Sequence, residues 1–149
     1  MKNLLIFLLI FLFGCEYTPI YKSNNSNDMK IEILEMQGDD KINRLIKNEL
    51  KIYNKDEAQK KYEIIIKTDF GKSTISKDSS GTITNYQIFV KANFEIKYKN
   101  KIENASFEEK FNIKKTSNSF EQKKYENTII LNFAESIKDK LILKLLSLQ

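Results

Sequence analysis

Residues 86–98 read YQIFVKANFEIKY, and this segment has the clearest structural pattern in the chain. Alternate positions from Tyr86 to Tyr98 are apolar, and the positions between them are polar except for Phe89. A period of two puts the apolar side chains on one face of a β-strand. We therefore expect a long strand in an antiparallel sheet that is packed on one face and hydrated on the other.

Turn-forming segments bound this strand on both sides. Residues 78–81 (DSSG) predict a hairpin before it, and residues 99–101 (KNK) predict a hairpin after it. The same alternation runs from residue 62 to residue 70 and reappears from residue 107 to residue 113. The sequence thus predicts three consecutive antiparallel strands.

A strand and a helix precede these three strands. Residues 30–36 predict the strand, and either Asp39 or Asp40, which follow Gly38, can cap the helix. The apolar residues of that helix share one face, at spacings of three and four: Ile42, Leu45, Ile46, Leu50 and Tyr53.

A long helix closes the chain from about Ser119, with Ser117 or Ser119 as its N-cap. Its main apolar stripe consists of Ile130, Phe133, Ala134, Ile137, Leu141, Leu145 and Leu148. Near the C-terminus the stripe widens to include Ile142, Leu143 and Leu146. Either the sheet and the first helix wrap this end, or it contacts another protein or lipid.

The element order is therefore β-α-β-β-β-α. It predicts an α+β fold, a two-layer sandwich in which two helices pack on one face of a four-stranded, mostly antiparallel sheet.

The N-terminus, residues 1–15, reads MKNLLIFLLIFLFGC and predicts an export signal. The apolar run from Leu4 to Phe13 is shorter than the roughly 20 residues that a membrane-spanning helix needs, but it suits a signal peptide. Residues 12–15 (LFGC) resemble a lipobox, the motif of bacterial lipoprotein processing. We expect cleavage after Gly14, with a diacylglycerol thioether and an N-acyl chain such as palmitate on Cys15. An ordinary signal peptide or an apolar strand with an incidental cysteine is the alternative.

These expectations divide the chain into three parts. Residues 1–14 are a cleaved signal peptide, residues 15–28 are the lipidated N-terminus and a flexible tether, and residues 29–149 are a single domain. The tether is predicted from Pro19 and the polar run 23–28. Three acyl chains would anchor the protein stably, because one chain alone binds a membrane weakly.

Composition limits the chemistry that the chain can perform. It contains no histidine and only one cysteine, which removes a Ser-His-Asp triad, a histidine-ligated metal and an internal disulfide. A carboxylate pair stays open, although every acidic residue lies in a polar, lysine-rich context. We expect no enzymatic activity, no cofactor and no metal site. The net charge of +5 favours anionic partners such as lipid head groups, and export argues against nucleic acid.

Four segments, taken in order, carry a family resemblance. They are residues 15–21 (CEYTPIY), the strand and helix over residues 29–50, the hairpin region 76–88, and the closing helix over 127–145. Together they resemble the LptE family of lipopolysaccharide-assembly lipoproteins, whose members begin C-G-[FY]-x-P-L-Y and carry a K-D…E-Y-Q segment. Glu16 replaces the common glycine, and the turn at 79–82 is short and lacks the arginine of enterobacterial members.

The resemblance implies an outer-membrane lipoprotein on the periplasmic side, inside a barrel lumen when in complex. Such proteins support assembly of the LptD β-barrel, plug it, and assist lipopolysaccharide insertion into the outer leaflet. The implied partners are an LptD-type barrel, lipopolysaccharide, and outer-membrane lipid through the acylated Cys15. Family members bind lipopolysaccharide near the hairpin between their second and third strands, where the candidates here are Lys77, Lys72 and Lys91. A solvated surface lysine is the alternative for each.

Two other functions remain open at the level of sequence. The first is a periplasm-facing lipoprotein that carries a lipid or a small apolar ligand, which would need a closed barrel or a concave sheet. The second is a generic scaffold lipoprotein of the envelope.

Overall fold

The segment 86–98 lies in the centre of a four-stranded sheet. The computed structural model describes residues 28–54 and 56–148, and its strands are β1 (Met29–Gly38), β2 (Lys60–Lys77), β3 (Ile83–Tyr98) and β4 (Lys101–Lys114). They lie side by side in the order β1-β2-β3-β4. β1 runs parallel to β2, whereas the β2–β3 and β3–β4 pairs are antiparallel hairpins.

Two helices complete the fold. Helix α1 (Asp40–Leu50) continues into a short 3₁₀ turn (Lys51–Tyr53) and connects β1 to β2, while α2 (Ser119–Ser147) follows β4. Buried residues of both helices join the apolar face of the sheet in one core, and the Tyr62 hydroxyl donates to the carbonyl of Leu145 at 3.0 Å. The predicted α+β sandwich, its element order and its helix-covered face are confirmed.

The opposite face of the sheet is mostly polar, and the structure explains the exception at Phe89. Phe89 lies across the strand pair from Gly71. A Cβ placed on Gly71 would be 2.4 Å from Phe89 Cζ, so the ring fills the space that the glycine leaves. Phe89 therefore covers exposed backbone of β2 and contributes nothing to the core.

The junction between β1 and α1 depends on a buried polar cluster. The Thr68 hydroxyl of β2 lies 2.8 Å from Asn43 Oδ1, and the backbone amide of Asp39 donates to it at 3.1 Å. Asn43 Nδ2 donates to the carbonyl of Gln37 at 3.2 Å. Of the two aspartates that the sequence offered as caps, Asp39 is the N-cap, and its carboxylate accepts from the amide of Ile42 at 2.9 Å.

Helix α2 differs from the prediction at both ends. Its N-cap is Asn118, whose Oδ1 accepts from the amides of Phe120 and Glu121 at 3.1 and 3.2 Å, so Ser117 and Ser119 as caps were wrong. An asparagine caps a helix as well as serine does, and here its backbone is extended. At the C-terminal end Ile142 is buried, but Leu143 is 48% exposed and lies outside the stripe.

The predictions for the signal peptide, Cys15 and residues 15–27 of the tether fall outside the described residues. Of that predicted tether the structure includes Asp28, whose carboxylate accepts from the amide of Gln59 at 2.9 Å. Neither α1 nor α2 is long and apolar enough to cross a membrane, and no other helix of the described ranges is.

Gly38 gives the first testable prediction. Its φ of +98° is left-handed, and a Cβ there would be 1.8 Å from the carbonyl oxygen of Thr68. Gly38→Ala must therefore displace β1 from β2, and we expect it to lower the free energy of unfolding by roughly 3–4 kcal/mol in chemical denaturation.

Gly81→Ala is the matched control. Gly81 also has a positive φ, of +82°, but nothing lies within 4 Å of its added Cβ. Only the cost of the left-handed backbone applies, about 1–2 kcal/mol. Equal losses in the two variants would show that close strand contact is not what requires Gly38.

Candidate functional site

A cavity of about 380 Å³ opens where the C-terminal end of β2 and the N-terminal end of β3 meet the N-terminal half of α2. This is the sheet end that carries the β2–β3 hairpin. Most of the side chains around the cavity are polar: Lys72, Ser73, Thr74, Ile83, Tyr86, Lys115, Gln122 and Glu126. The backbone amide of Lys115 donates to the carbonyl of Thr84 at 2.8 Å, which fixes the start of the β4–α2 connection beside β3.

Glu126 is the centre of the hydrogen-bond network in this cavity. Its carboxylate accepts from Lys72 Nζ at 2.6 Å and from the Tyr86 hydroxyl in a short hydrogen bond. Gln122, one turn earlier on α2, donates from Nε2 to the Tyr86 hydroxyl oxygen at 2.6 Å. Lys72 Nζ also lies 5.5 Å from the centre of the Tyr86 ring, within cation–π range. The network thus ties β2 and β3 to α2.

The network shifts both acidic groups away from their ordinary titration range. Burial and the hydrogen bond to Glu126 raise the pKa of the Tyr86 phenol, so it remains a donor at neutral pH. Burial alone would raise the pKa of Glu126, but hydrogen bonds from Lys72 and Tyr86 outweigh it and lower this pKa. The cavity therefore contains one carboxylate and two ammonium groups, those of Lys72 and Lys115, and has a net positive charge.

The structure separates the three lysines named as lipopolysaccharide candidates. Lys72 belongs to the cavity, where it is already paired with Glu126. Lys91 lies between buried Val90 and Ala92, so it points to the open face of the sheet, the face that the helices do not cover. There it is opposite Asp69 and Glu108 in the register. One compact ligand group therefore cannot contact Lys72 and Lys91 together.

Lys77 is the last residue of β2 and is exposed. Within residues 28–54 and 56–148 its ammonium group has no hydrogen-bond or ion-pair partner. The turn after it is held by Asp78, whose carboxylate accepts from the amides of Ser80 and Thr82 at 2.9 Å each. Hydrogen bonds from Ser80 and Thr82 lower the pKa of Asp78. The hairpin thus presents Lys77 on an ordered turn.

The sequence reasoning missed Gln122, Tyr86 and Glu126 as parts of a site. A signal existed, because Gln122 and Glu126 extend the apolar stripe of α2 by one turn each towards its N-terminus. Polar residues on the packed face of a helix need partners from the surface they cover. Among the described residues, no group of three acidic or cysteine side chains is arranged to hold a metal ion.

Comparison with solved structures shows which proteins share this fold. The chain is similar to rare lipoprotein B from Shewanella oneidensis, with a TM-score of 0.58 and 13% identity over 79% of this chain and 93% of that one. It is also similar to a lipoprotein from Caulobacter crescentus (TM-score 0.52, 9% identity, 77% and 86% coverage) and to lipoprotein B from Nitrosomonas europaea (0.52, 9%, 78% and 83%). No family model and no curated protein matches the sequence. The likeness establishes that the chain has the fold of these lipoproteins.

The second prediction tests the Glu126 network. Glu126→Gln removes the charge that Lys72 and Tyr86 both contact, and we expect it to lower the free energy of unfolding by about 1–2 kcal/mol at pH 7. Because the folded-state pKa of Glu126 is lowered, its contribution is present above the ordinary value of 4.5 and is lost as the pH falls through the folded value. The difference between wild type and variant should therefore shrink in acid.

Glu135→Gln is the control for this prediction, because Glu135 is exposed on the same helix. It should change stability by less than about 0.5 kcal/mol. A pH-independent difference for Glu126→Gln would mean that shape and not charge holds the network.

Proposed function

We propose that this chain is a lipid-anchored outer-membrane lipoprotein that supports assembly of an LptD-type β-barrel, plugs its lumen, and assists lipopolysaccharide insertion without catalysing a reaction. The observation that carries the proposal is the combination of two independent features. A lipobox ending at Cys15 comes first, and the fold of lipoprotein B structures follows it.

The open face of the sheet suits a plug. Its exposed charges are of both signs, and several are paired with each other, such as Lys97 with Glu63 at 3.1 Å and Lys110 with Glu108 at 3.0 Å. The lumen of a large barrel is polar, so a polar domain surface can lie against it without an apolar interface. This face is therefore compatible with a luminal position.

The hairpin end of the domain suits an anionic lipid head group. Lys77 is exposed there and its side chain has no partner in the described part of the chain, and the neighbouring cavity has a net positive charge from Lys72 and Lys115. A lysine ammonium binds phosphate as a point charge. We therefore place the lipopolysaccharide contact at this end, with Lys77 as its first residue, Lys72 as a secondary one, and Lys91 remote from it.

The third prediction tests the partner. After extraction in mild detergent, the native protein should co-purify with a large β-barrel, and in-cell crosslinking should join the two. Cys15→Ala should preserve the folded domain, since the buried apolar residues between Met29 and Leu145 form one core among themselves, while the yield of assembled barrel falls. Recovery of the native protein free of any barrel after in-cell crosslinking would contradict the proposal.

The fourth prediction tests the lipid contact. Lys77→Ala should weaken lipopolysaccharide binding about fivefold at physiological salt, because one lysine near an anionic head group contributes about 1 kcal/mol. Lys91→Ala is the matched control, because Lys91 lies on the open face of the sheet and away from the hairpin end. This substitution should change lipopolysaccharide binding less than twofold. The wild-type affinity should fall as salt is raised, because this contact is electrostatic. Equal effects of the two substitutions would remove the hairpin end as the contact.

A further inference from the structure

The open face of the sheet contains a second concavity, remote from the hairpin cavity and of about 460 Å³. It crosses all four strands in two adjacent rows of the register. One row runs Gln37, Lys67, Asn93 and Ser106, and the next contains Ile65, Glu95 and Asn104. Neighbouring strands lie about 4.8 Å apart, so the rows extend roughly 14 Å from β1 to β4. We name this surface the amide concavity.

Most polar side chains of the amide concavity have no partner among the residues that the structure describes. Lys67, Asn93, Glu95, Asn104 and Ser106 make no side-chain hydrogen bond or ion pair within residues 28–54 and 56–148. Some polar side chains elsewhere on the same face pair with each other: Gln87 Nε2 donates to Asn112 Oδ1 at 2.8 Å, and Lys97 pairs with Glu63. In the concavity, five neighbouring polar side chains are available to a ligand.

The chemistry of this lining is specific. Three carboxamides, a hydroxyl, one ammonium and one carboxylate supply both donors and acceptors, and the two charges cancel. Ile65 adds an apolar contact between them. A phosphate would find one cation opposed by one anion, and an acyl chain would leave the amides without partners. A neutral chain rich in hydroxyl groups can satisfy both donors and acceptors, as oligosaccharides do on the sheet faces of other small β-folds.

We propose that the amide concavity is a binding site for a short neutral oligosaccharide, either free or as the saccharide part of a glycolipid. Asn93 and Asn104 are its principal hydrogen-bonding residues, because each offers both a donor and an acceptor from a different strand. The volume lies within the usual range of small-molecule sites. The proposal rests on this surface alone and does not require the barrel partner.

The test uses the complete lipoprotein, ¹⁵N-labelled, in a detergent without sugar head groups. Neutral oligosaccharides of two to five hexose or heptose units are titrated while the side-chain amide signals of Asn93 and Asn104 are followed by NMR. We expect saturable shifts of these signals for at least one saccharide, unchanged by added salt because the ligand is uncharged. Intact lipopolysaccharide and its lipid-free saccharide are titrated in parallel. Tighter binding of the intact molecule identifies a glycolipid as the source, and equal affinities identify a free saccharide.

Paired substitutions on one sheet face provide the control. Asn93→Ala with Asn104→Ala removes two hydrogen-bonding groups and should weaken saccharide binding about tenfold or more. Gln87→Ala with Asn112→Ala, on the same face but outside the concavity, should leave the affinity within twofold, and both variants should retain the wild-type unfolding transition.

Three results would overturn the site. They are an absence of shifts across the saccharide panel, equal losses in the two paired variants, and in-cell crosslinks from Asn93 and Asn104 to the barrel wall. Saccharide binding by a protein that recruits no barrel would refute the proposed function and leave this site intact.

Discussion

The buried hydroxyl of Thr68 is the contact on which the arrangement of the layers depends. It meets the side chain of Asn43 in α1 and the backbone amide of Asp39, so one β2 residue fixes both the end of β1 and the start of α1. Thr68 and Asn43 are the only buried polar residues of the described chain, and all of their buried polar atoms are satisfied. A buried polar group that loses its partner costs about 1–3 kcal/mol. The chain can turn sharply at Gly38 because this cluster satisfies the backbone groups on either side of it, the carbonyl of Gln37 and the amide of Asp39.

The position of α1 decides where α2 can lie. Once α1 covers the β1–β2 side of the sheet, the remaining apolar surface belongs to β3 and β4, and α2 packs there beside α1. The edge strand β4 holds this helix with charged side chains as well as apolar ones: Glu109 accepts from Ser136 and Lys140, at 2.6 Å each. Since α2 extends about three turns beyond Ile129, the buried residue nearest its N-terminus, Gln122 and Glu126 meet Lys72 and Tyr86. The candidate cavity is therefore a consequence of how the helices share the sheet.

Local patterns predicted most of the fold, and non-local pairing accounts for the remainder. The alternation over residues 86–98, the turns at 78–81 and 99–101, and the cap at Asp39 follow from residues close in sequence, and the structure contains all of them. Strand order does not follow, because the parallel β1–β2 pairing joins residues about thirty positions apart and neither strand encodes its partner. Phe89 breaks the apolar–polar alternation of β3, and the reason is non-local: its ring fills the space above Gly71 on the neighbouring strand. Lys72 was selected from its proximity to a hairpin, whereas its counter-charge on α2 required the tertiary structure.

The direction of β2 connects the anchor to the candidate lipid contact. Met29 pairs with Lys60 at one end of the sheet, and Lys77 ends β2 at the other. Eighteen residues of extended strand cover roughly 50–55 Å. That length exceeds the roughly 40–45 Å of a bilayer with its head groups. If Cys15 anchors the chain at the periplasmic surface, as proposed above, the domain presents Lys77 near the far leaflet only from inside a protein lumen, because its polar sheet face cannot lie in hydrocarbon. The amide concavity lies between these two ends, at Ile65 and Lys67 of β2, and is therefore nearer to the Met29 end of the sheet than to Lys77.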